Sequence, residues 1–324
     1  MDKNLLKTTL SVPSAYGEEE LMKDYIIAFA EHHCLDYHTD KKGNIYVIKE
    51  EIEGEEYFPC VVSHIDTVHK NHTALIQNNE RLEIKESEGI LTAIHPNTRL
   101  QTGIGGDDKC GVFVCLSLFK HFDNLKAAFF VEEEIGMKGS KEADEDFFSD
   151  VGYAIQFDAP SSNWISEVCS GVKLFDDKFK TKITKILSEG GYTKFSMDPF
   201  TDVNQLAQKF DFNCLNLGCG YYAQHTDKEY VVIKEVEDSL KMGISLIDYL
   251  GNKKYIHHKE NKKELLLEVD WQEDYKKYDM GYYDEYDECA NEIVDAVFDM
   301  IDAGHTKEDI KYEIGELLFS KKYV

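Results

Sequence analysis

The stretch "GIGGDDKCGVFVCLSLFKHF", residues 103–122, runs from a glycine-loosened turn through two adjacent acids into an apolar segment. The glycines alone would suit a phosphate cradle, which needs backbone amides aimed at an anion and a Lys followed by Ser or Thr. Asp107 and Asp108 would repel that anion, and Cys110 follows Lys109. Residues 110–122 are apolar nearly all round, which predicts a buried helix. The segments on either side decide what two acids on such a turn are for.

Up to about residue 250, helix and strand patterns alternate. Residues 17–34 place acids in a first turn and Leu21, Tyr25, Ile26 and Phe29 at helical spacing. "GNIYVIKE" (43–50) and "FPCVVSHID" (58–66) read as strands, the second apolar enough to be buried on both faces. Residues 72–102 carry short alternating segments that read as β-hairpin decoration. Strands "AAFFVEE", "YAIQFD" and "NCLNLGCG" follow, with helices "DDKFKTKITKILSEGG", "DVNQLAQKFD" and "VEDSLKMGISLIDYLGN". The alternation predicts an α/β, three-layer sandwich around a mixed, mainly parallel sheet. In such folds function gathers in the loops beyond the carboxyl ends of the strands.

Composition removes several classes of function. A formal charge of −26 over 324 residues excludes the basic footprint that nucleic acid or an anionic membrane surface needs. No apolar stretch reads as a secretory leader or a membrane span. The eight cysteines include no C-x-x-C pair, and most lie in apolar runs. Reduced, buried thiols and a cytoplasmic location are expected, with no thiolate zinc cluster.

The polar residues at strand exits form an ordered set. His64 and Asp66 end "VVSHIDTVH", and Asp107 and Asp108 open the buried helix. Glu132, Glu133 and Glu134 end "FFVEEEIG", Asp158 ends "YAIQFDAP", and His225 follows a strand in "GCGYYAQHTDKEY". Singly, each has an ordinary explanation as a cap, a surface acid or a solvated charge run. Together they are imidazoles and carboxylates without thiolate, the donors expected around hydrolytic zinc, manganese or cobalt.

In this order the segments resemble the co-catalytic di-zinc exopeptidases: peptidase T, glutamate carboxypeptidase and acylase-type enzymes, and the zinc aminopeptidases. The motifs that carry the resemblance are H-x-D at 64–66, G-x-D-D-K-x-G at 105–111, E-E-x-G at 133–136, Asp158 and His225, within about residues 5–250. The resemblance implies two Zn2+ ions, with Co2+ or Mn2+ as substitutes. Asp107 would bridge them, His64 and Asp158 would complete one site, and Glu134 and His225 the other. Glu133 would be the general base, Asp66 would orient the His64 imidazole, and the Asp107–Asp108 peptide bond would be cis, with Asp108 not a ligand. Such a site hydrolyses peptide bonds through a water held between the metals.

Peptidase T and acylase-type enzymes insert a lid-like domain between the Asp and late His motifs, whereas only 66 residues, 159–224, separate them here. Two helices and a strand account for most of these, so the lid is expected to be absent. Tyr221 or Tyr222 could replace an oxyanion donor supplied by the lid, or simply pack near the sheet edge. Thr201 and Asp202 would cap a helix or line the pocket.

The expected activity is aminopeptidase action on short peptides. Arg81 and Arg99 both fall in the hairpin region, and a substrate carboxylate would want an arginine fork, whereas acid-rich surroundings suit an α-ammonium. The alternatives are an amidohydrolase or deacylase on N-acyl amino acids or other small amides, and an inactive relative serving as a binding module. Residues 1–250 form the expected catalytic domain, 251–285 an acidic linker, and 286–324 a helical hairpin. The first hairpin helix carries Ile293, Val297 and Ile301 on its apolar stripe and stops at Gly304. The second starts at Thr306 and carries Ile310, Ile314 and Leu317. The hairpin would carry no chemistry and would dock on the catalytic domain or a partner, or pair two copies of the chain.

Overall fold

Helix α1 (Lys3–Ser11) opens a computed structural model that describes residues 1–52, 54–198 and 200–259. The predicted hairpin and most of the acidic linker lie outside the described residues. Next come α2 (Glu20–His32), β1 (Asp36–Thr39), β2 (Ile45–Glu50) and β3 (Phe58–His64). The region of predicted hairpin decoration supplies α3 (Thr73–Gln77), β4 (Glu83–Ser87), β5 (Ile90–Ile94) and β6 (Gln101–Thr102). Then follow α4 (Gly106–Leu118), β7 (Asn124–Phe130), α5 (Lys138–Lys141), α6 (Glu145–Phe148) and β8 (Val151–Ala159). The chain continues through β9 (Trp164–Cys169), β10 (Val172–Lys173), α7 (Asp177–Glu189), β11 (Lys194–Asp198) and α8 (Asp202–Lys209). It closes with β12 (Cys214–Gly218), β13 (Tyr221–Tyr222), β14 (Tyr230–Val232) and α9 (Ile233–Leu250).

The main sheet has the order β1-β2-β7-β3-β8-β12-β9-β10, with β11 also paired to β9. Its centre, β7-β3-β8-β12, is parallel, and antiparallel strands flank it on both sides. Every residue of β3 and β7 is buried, in keeping with the apolar run that marks β3 in the sequence. Asn124 and Lys126 are the polar residues of β7: the Asn124 amide donates to Ile52 O at 2.9 Å, and the Lys126 ammonium is satisfied by the Phe147 carbonyl at 2.8 Å and by Asp150.

Alternation along β8 sets the layers. Gln156 turns its amide oxygen to the start of α8, accepting from Val203 N at 3.0 Å. The next residue, Phe157, points the other way, so that a Cβ added at Gly243 of α9 would meet its ring at 2.9 Å. Helices α4 and α9 therefore cover one face and α8 the other. Helix α4 is buried on nearly every side because the sheet, α1 and α9 enclose it.

From β3 the chain builds β7 on one flank through α4, then returns to build β8 on the other. Loops part at such a switch point and leave a crevice beyond the strand ends. His64 pairs with Phe130 in register, so β3 and β7 finish level at this edge.

Residues 159–224 differ from the two-helices-and-a-strand expectation. They also contribute β9, β10 and β11, which extend the main sheet rather than build a separate domain. The decoration is a hairpin, β4–β5, as expected, but β14 pairs with β5, so the hairpin joins a second sheet of order β13-β14-β5-β4. All seven cysteines among the described residues are free, and only Cys34 is exposed. None of the described helices is long and apolar enough to cross a membrane.

The compact unit reaches Lys259, beyond the expected boundary at 250. Tyr255 donates its N–H to Gly152 O at 2.9 Å and accepts from Asn213 N at 3.0 Å, and His257 N reaches Asp211 O at 2.8 Å. A chain ending at Asn252 loses these contacts while one ending at Lys259 keeps them. The shorter chain is expected to be less stable by about 2–3 kcal/mol and to melt roughly 5–10 °C lower, measured by circular dichroism.

Candidate metal centre

The ends of the parallel strands β3, β7 and β8, the opening turn of α4 and the β13–β14 loop bring the predicted site residues together at one edge of the sheet. His64 is the last residue of β3, and its Nε2 lies 3.0 Å from Asp107 Oδ1 and 3.5 Å from Asp158 Oδ1. The other oxygen of Asp107, Oδ2, lies 3.3 Å from His225 Nε2, which is 3.2 Å from Glu134 Oε2. One carboxylate therefore divides its oxygens between two groups, His64 with Asp158 and His225 with Glu134. The His225 side chain is 50% exposed and that of His64 only 1%, so the site opens on the His225 side.

The turn shows how the chain aims Asp107. Gly105 has φ +65°, and a Cβ there would lie 2.6 Å from Lys109 Cε. Asp107 and Asp108 have non-helical dihedrals and a cis peptide bond between them, as the resemblance implies. Asp108 turns inward. Its Oδ2 accepts from Ser63 Oγ at 2.6 Å and His64 N at 3.2 Å, and its Oδ1 from Gly111 N at 3.1 Å. It sews the start of α4 to the end of β3. Lys109 is fully buried, with its ammonium donating to Leu10 O at 2.7 Å and Val12 O at 3.1 Å, and burial lowers it to about 7.

Asp66 does more than the expected orientation of His64. The strand has already ended at His64, and the Asp66 backbone carbonyl, not the carboxylate, lies closest to His64 Nδ1, at 3.0 Å. The carboxylate oxygen is 3.5 Å away. That carboxylate accepts from Glu133 N at 2.9 Å and Glu134 N at 3.1 Å. One residue thus fixes the imidazole through its backbone and the two glutamates through its side chain.

Electrostatics at the centre are those of crowded acids. Burial raises Glu133 well above the usual carboxylate range, with Asp158, Asp202 and Glu134 adding to it against His64. Burial and then Asp107 raise Glu134 to about 7 and Asp158 to about 6. Burial would raise Asp107 too, but the His225 and His64 imidazoles hold it well below its ordinary value. Burial would lower His225, yet Asp107 and Glu134 carry it up to about 11. Among the described residues no lysine or arginine pairs with Asp107, Glu134 or Asp158.

The tyrosines and the α8 cap resolve differently from one another. Tyr221 is buried and its hydroxyl donates to Asp158 Oδ1 at 3.2 Å, whereas Tyr222 donates to Glu235 Oε2 at 2.7 Å, on α9. Thr201 occupies the N-cap position of α8 without capping it. Its hydroxyl donates to Gln156 Oε1 at 2.7 Å, and that same oxygen caps the helix through Val203 N. Asp202 is fully buried, which pushes its carboxyl up to about 7. Sequence reasoning missed Gln156 and also Glu229, a fully buried carboxylate that accepts from the amides of Gly105 and Asp107. In "HTDKEY" Glu229 looks like one more solvated charge; its only signal is the apolar pair Val231–Val232 that follows soon after.

No family model matches the chain, and no curated protein matches it in sequence. Solved structures do match in fold. Aminopeptidase PepT from Bacillus cereus is 14% identical with a TM-score of 0.59, over 76% of this chain and 97% of that one. A tripeptidase from Staphylococcus aureus is 13% identical with a TM-score of 0.58, over 75% and 96%. An aminopeptidase from the archaeon Desulfurococcus kamchatkensis is 15% identical with a TM-score of 0.56, over 78% and 97%. The chain shares its fold with these aminopeptidase and tripeptidase structures.

Replacing Asp66 with Ala strips the buried Glu133 amide and the part-buried Glu134 amide of their acceptor. Asp66→Ala is expected to cost about 2–4 kcal/mol, read from urea unfolding of the metal-free protein.

Proposed function

We propose that the chain hydrolyses peptide bonds in short peptides as a metal-dependent aminopeptidase. The observation that carries this reading is the division of Asp107, with one oxygen toward His64 and Asp158 and the other toward His225 and Glu134. The residues fit a pair of divalent cations. The donors are imidazole and carboxylate, and Glu134 Oε1 is buried without a hydrogen-bond partner. Asp107 would hold both ions, His64 and Asp158 one of them, and Glu134 and His225 the other. Zn2+ suits this donor set, and Co2+ or Mn2+ could replace it. Bound there, the ions would supply polarisation of the scissile carbonyl and a more acidic attacking water.

The chain's own groups do the rest. Glu133, held by its backbone to Asp66, takes the proton of the attacking water and returns it to the leaving amine. Asp66 keeps Glu133 and His64 in fixed relation, and Tyr221 fixes Asp158. The acidic surroundings favour a substrate ammonium. Arg99 is paired with Glu83 on β4 and offers no fork for a substrate carboxylate. The names of the structural neighbours, two aminopeptidases and a tripeptidase, agree with this choice.

The test is hydrolysis of aminoacyl-p-nitroanilides with and without a chelator, beside the same compounds N-acetylated. Activity lost on chelation, restored by Zn2+ and abolished by acetylation is expected; cleavage indifferent to the chelator would end the reading, and preference for the acetylated series would make the chain a deacylase. Asp107→Ala is expected to lose both tightly bound ions, counted by elemental analysis. Glu133→Gln should keep them and lose activity by ~10²–10⁴-fold, since an amide cannot accept the water's proton.

A further inference from the structure

Glu229 follows His225 by four residues, and its side chain reaches the turn that presents Asp107. Its Oε2 accepts from Gly105 N at 2.7 Å and lies 2.9 Å from His69 Nε2, and its Oε1 accepts from Asp107 N at 3.1 Å. The two amides belong to the opening turn of α4, where backbone donors have no partner within the helix. Gly105, at the N-cap, supplies no side-chain acceptor. A carboxylate from a distant loop fills that role, at the helix end whose dipole favours it. His69 reaches Glu229 across Gly103, where a Cβ would lie 1.9 Å from the imidazole, so the glycine is the opening through which the pair forms.

All three of these contacts end on Glu229, and two of them restrain the backbone that presents Asp107. We infer that Glu229, seated by His69, is a positioning residue of the metal centre: it sets the direction in which Asp107 divides its oxygens, and it ties that turn to the loop bearing His225. The inference rests on the di-metal reading above. The isosteric amide at 229 would trade one accepting oxygen for a donor facing other donors, which releases either Asp107 N or the pair of Gly105 N and His69. Loss of an outer partner of this kind typically weakens metal binding by about 10–100-fold.

The experiment measures Zn2+ affinity of the full-length, metal-stripped protein by competition with a chromophoric chelator. It compares wild type, Glu229→Gln, His69→Ala, His69→Gln and Tyr255→Ala, with circular dichroism confirming that each is folded at the assay temperature. Wild type should take up two ions, and a wild type that takes up none overturns the di-metal reading and this inference together. Glu229→Gln should bind more weakly by about 10–100-fold. His69→Ala should shift in the same direction, and His69→Gln, which keeps a donor near the position of Nε2, should recover most of the loss. Tyr255→Ala loses stability far from the site and should keep wild-type affinity. If Glu229→Gln does not fold, the two His69 variants decide alone: weakening by alanine with recovery by glutamine supports the role, and unchanged affinity in His69→Ala overturns it. Wild-type affinity in Glu229→Gln, or an equal loss in Tyr255→Ala, also overturns it, the latter by reducing the effect to general destabilisation.

Discussion

Like-charged groups in a buried space repel, and around His64 that repulsion governs what the rest of the site must do. Among the described residues, Asp107, Glu134 and Asp158 face only His64 and His225 as cationic partners, while Glu133 sits buried beside them. Two imidazoles cannot balance so many carboxyl groups, which is why burial and mutual repulsion raise most of them. Surrounding acids play the opposite part. Asp66, Asp108 and Glu229 are equally buried, but their oxygens are engaged by backbone amides, by the Ser63 hydroxyl or by His69. One set of acids is consumed in holding loops, and the other is left with oxygens to give to a cation.

The sheet makes this arrangement possible. Strands β7, β3, β8 and β12 run parallel, so the loops that leave them start from one edge, and the switch at β3 parts them. Holding carboxylates close together requires rigid supports, and buried strands with helices on both faces provide them. The small sheet β13-β14-β5-β4 adds a second frame. It carries the loop with His225 and Glu229 back toward the turn that presents Asp107.

Much of this was legible in the sequence because its metal-competent residues stand at the ends of apolar runs. "FPCVVSH" and "YAIQFD" mark buried strands by hydrophobicity and their exits by a change to polar residues. The alternation of helix and strand gave the sandwich for the same reason. Strands β9 and β11 escaped because "WISEVC" and "KFSMD" mix polar and apolar residues at the flank of the sheet, where burial is partial. Glu229 escaped because no local pattern distinguishes an acid that folds inward to cap another segment's helix from one in water. The part of Asp66 was half visible. Its nearness to His64 could be read from spacing, but its grip on two amides 67 and 68 residues away is a property of strand neighbours.

Lys109 gives the first helix a standing that its place in the chain does not suggest. A fully buried ammonium next to the turn that presents Asp107 ends on two carbonyls, Leu10 and Val12, where α1 finishes and the chain leaves it. Were those carbonyls displaced, the ammonium would have to shed its proton, find water or drag the turn with it, since an unpaired buried charge is costly. The opening segment therefore anchors the side chain that follows the Asp107–Asp108 turn. Any graft, swap or shortening there is a change made within two residues of Asp107.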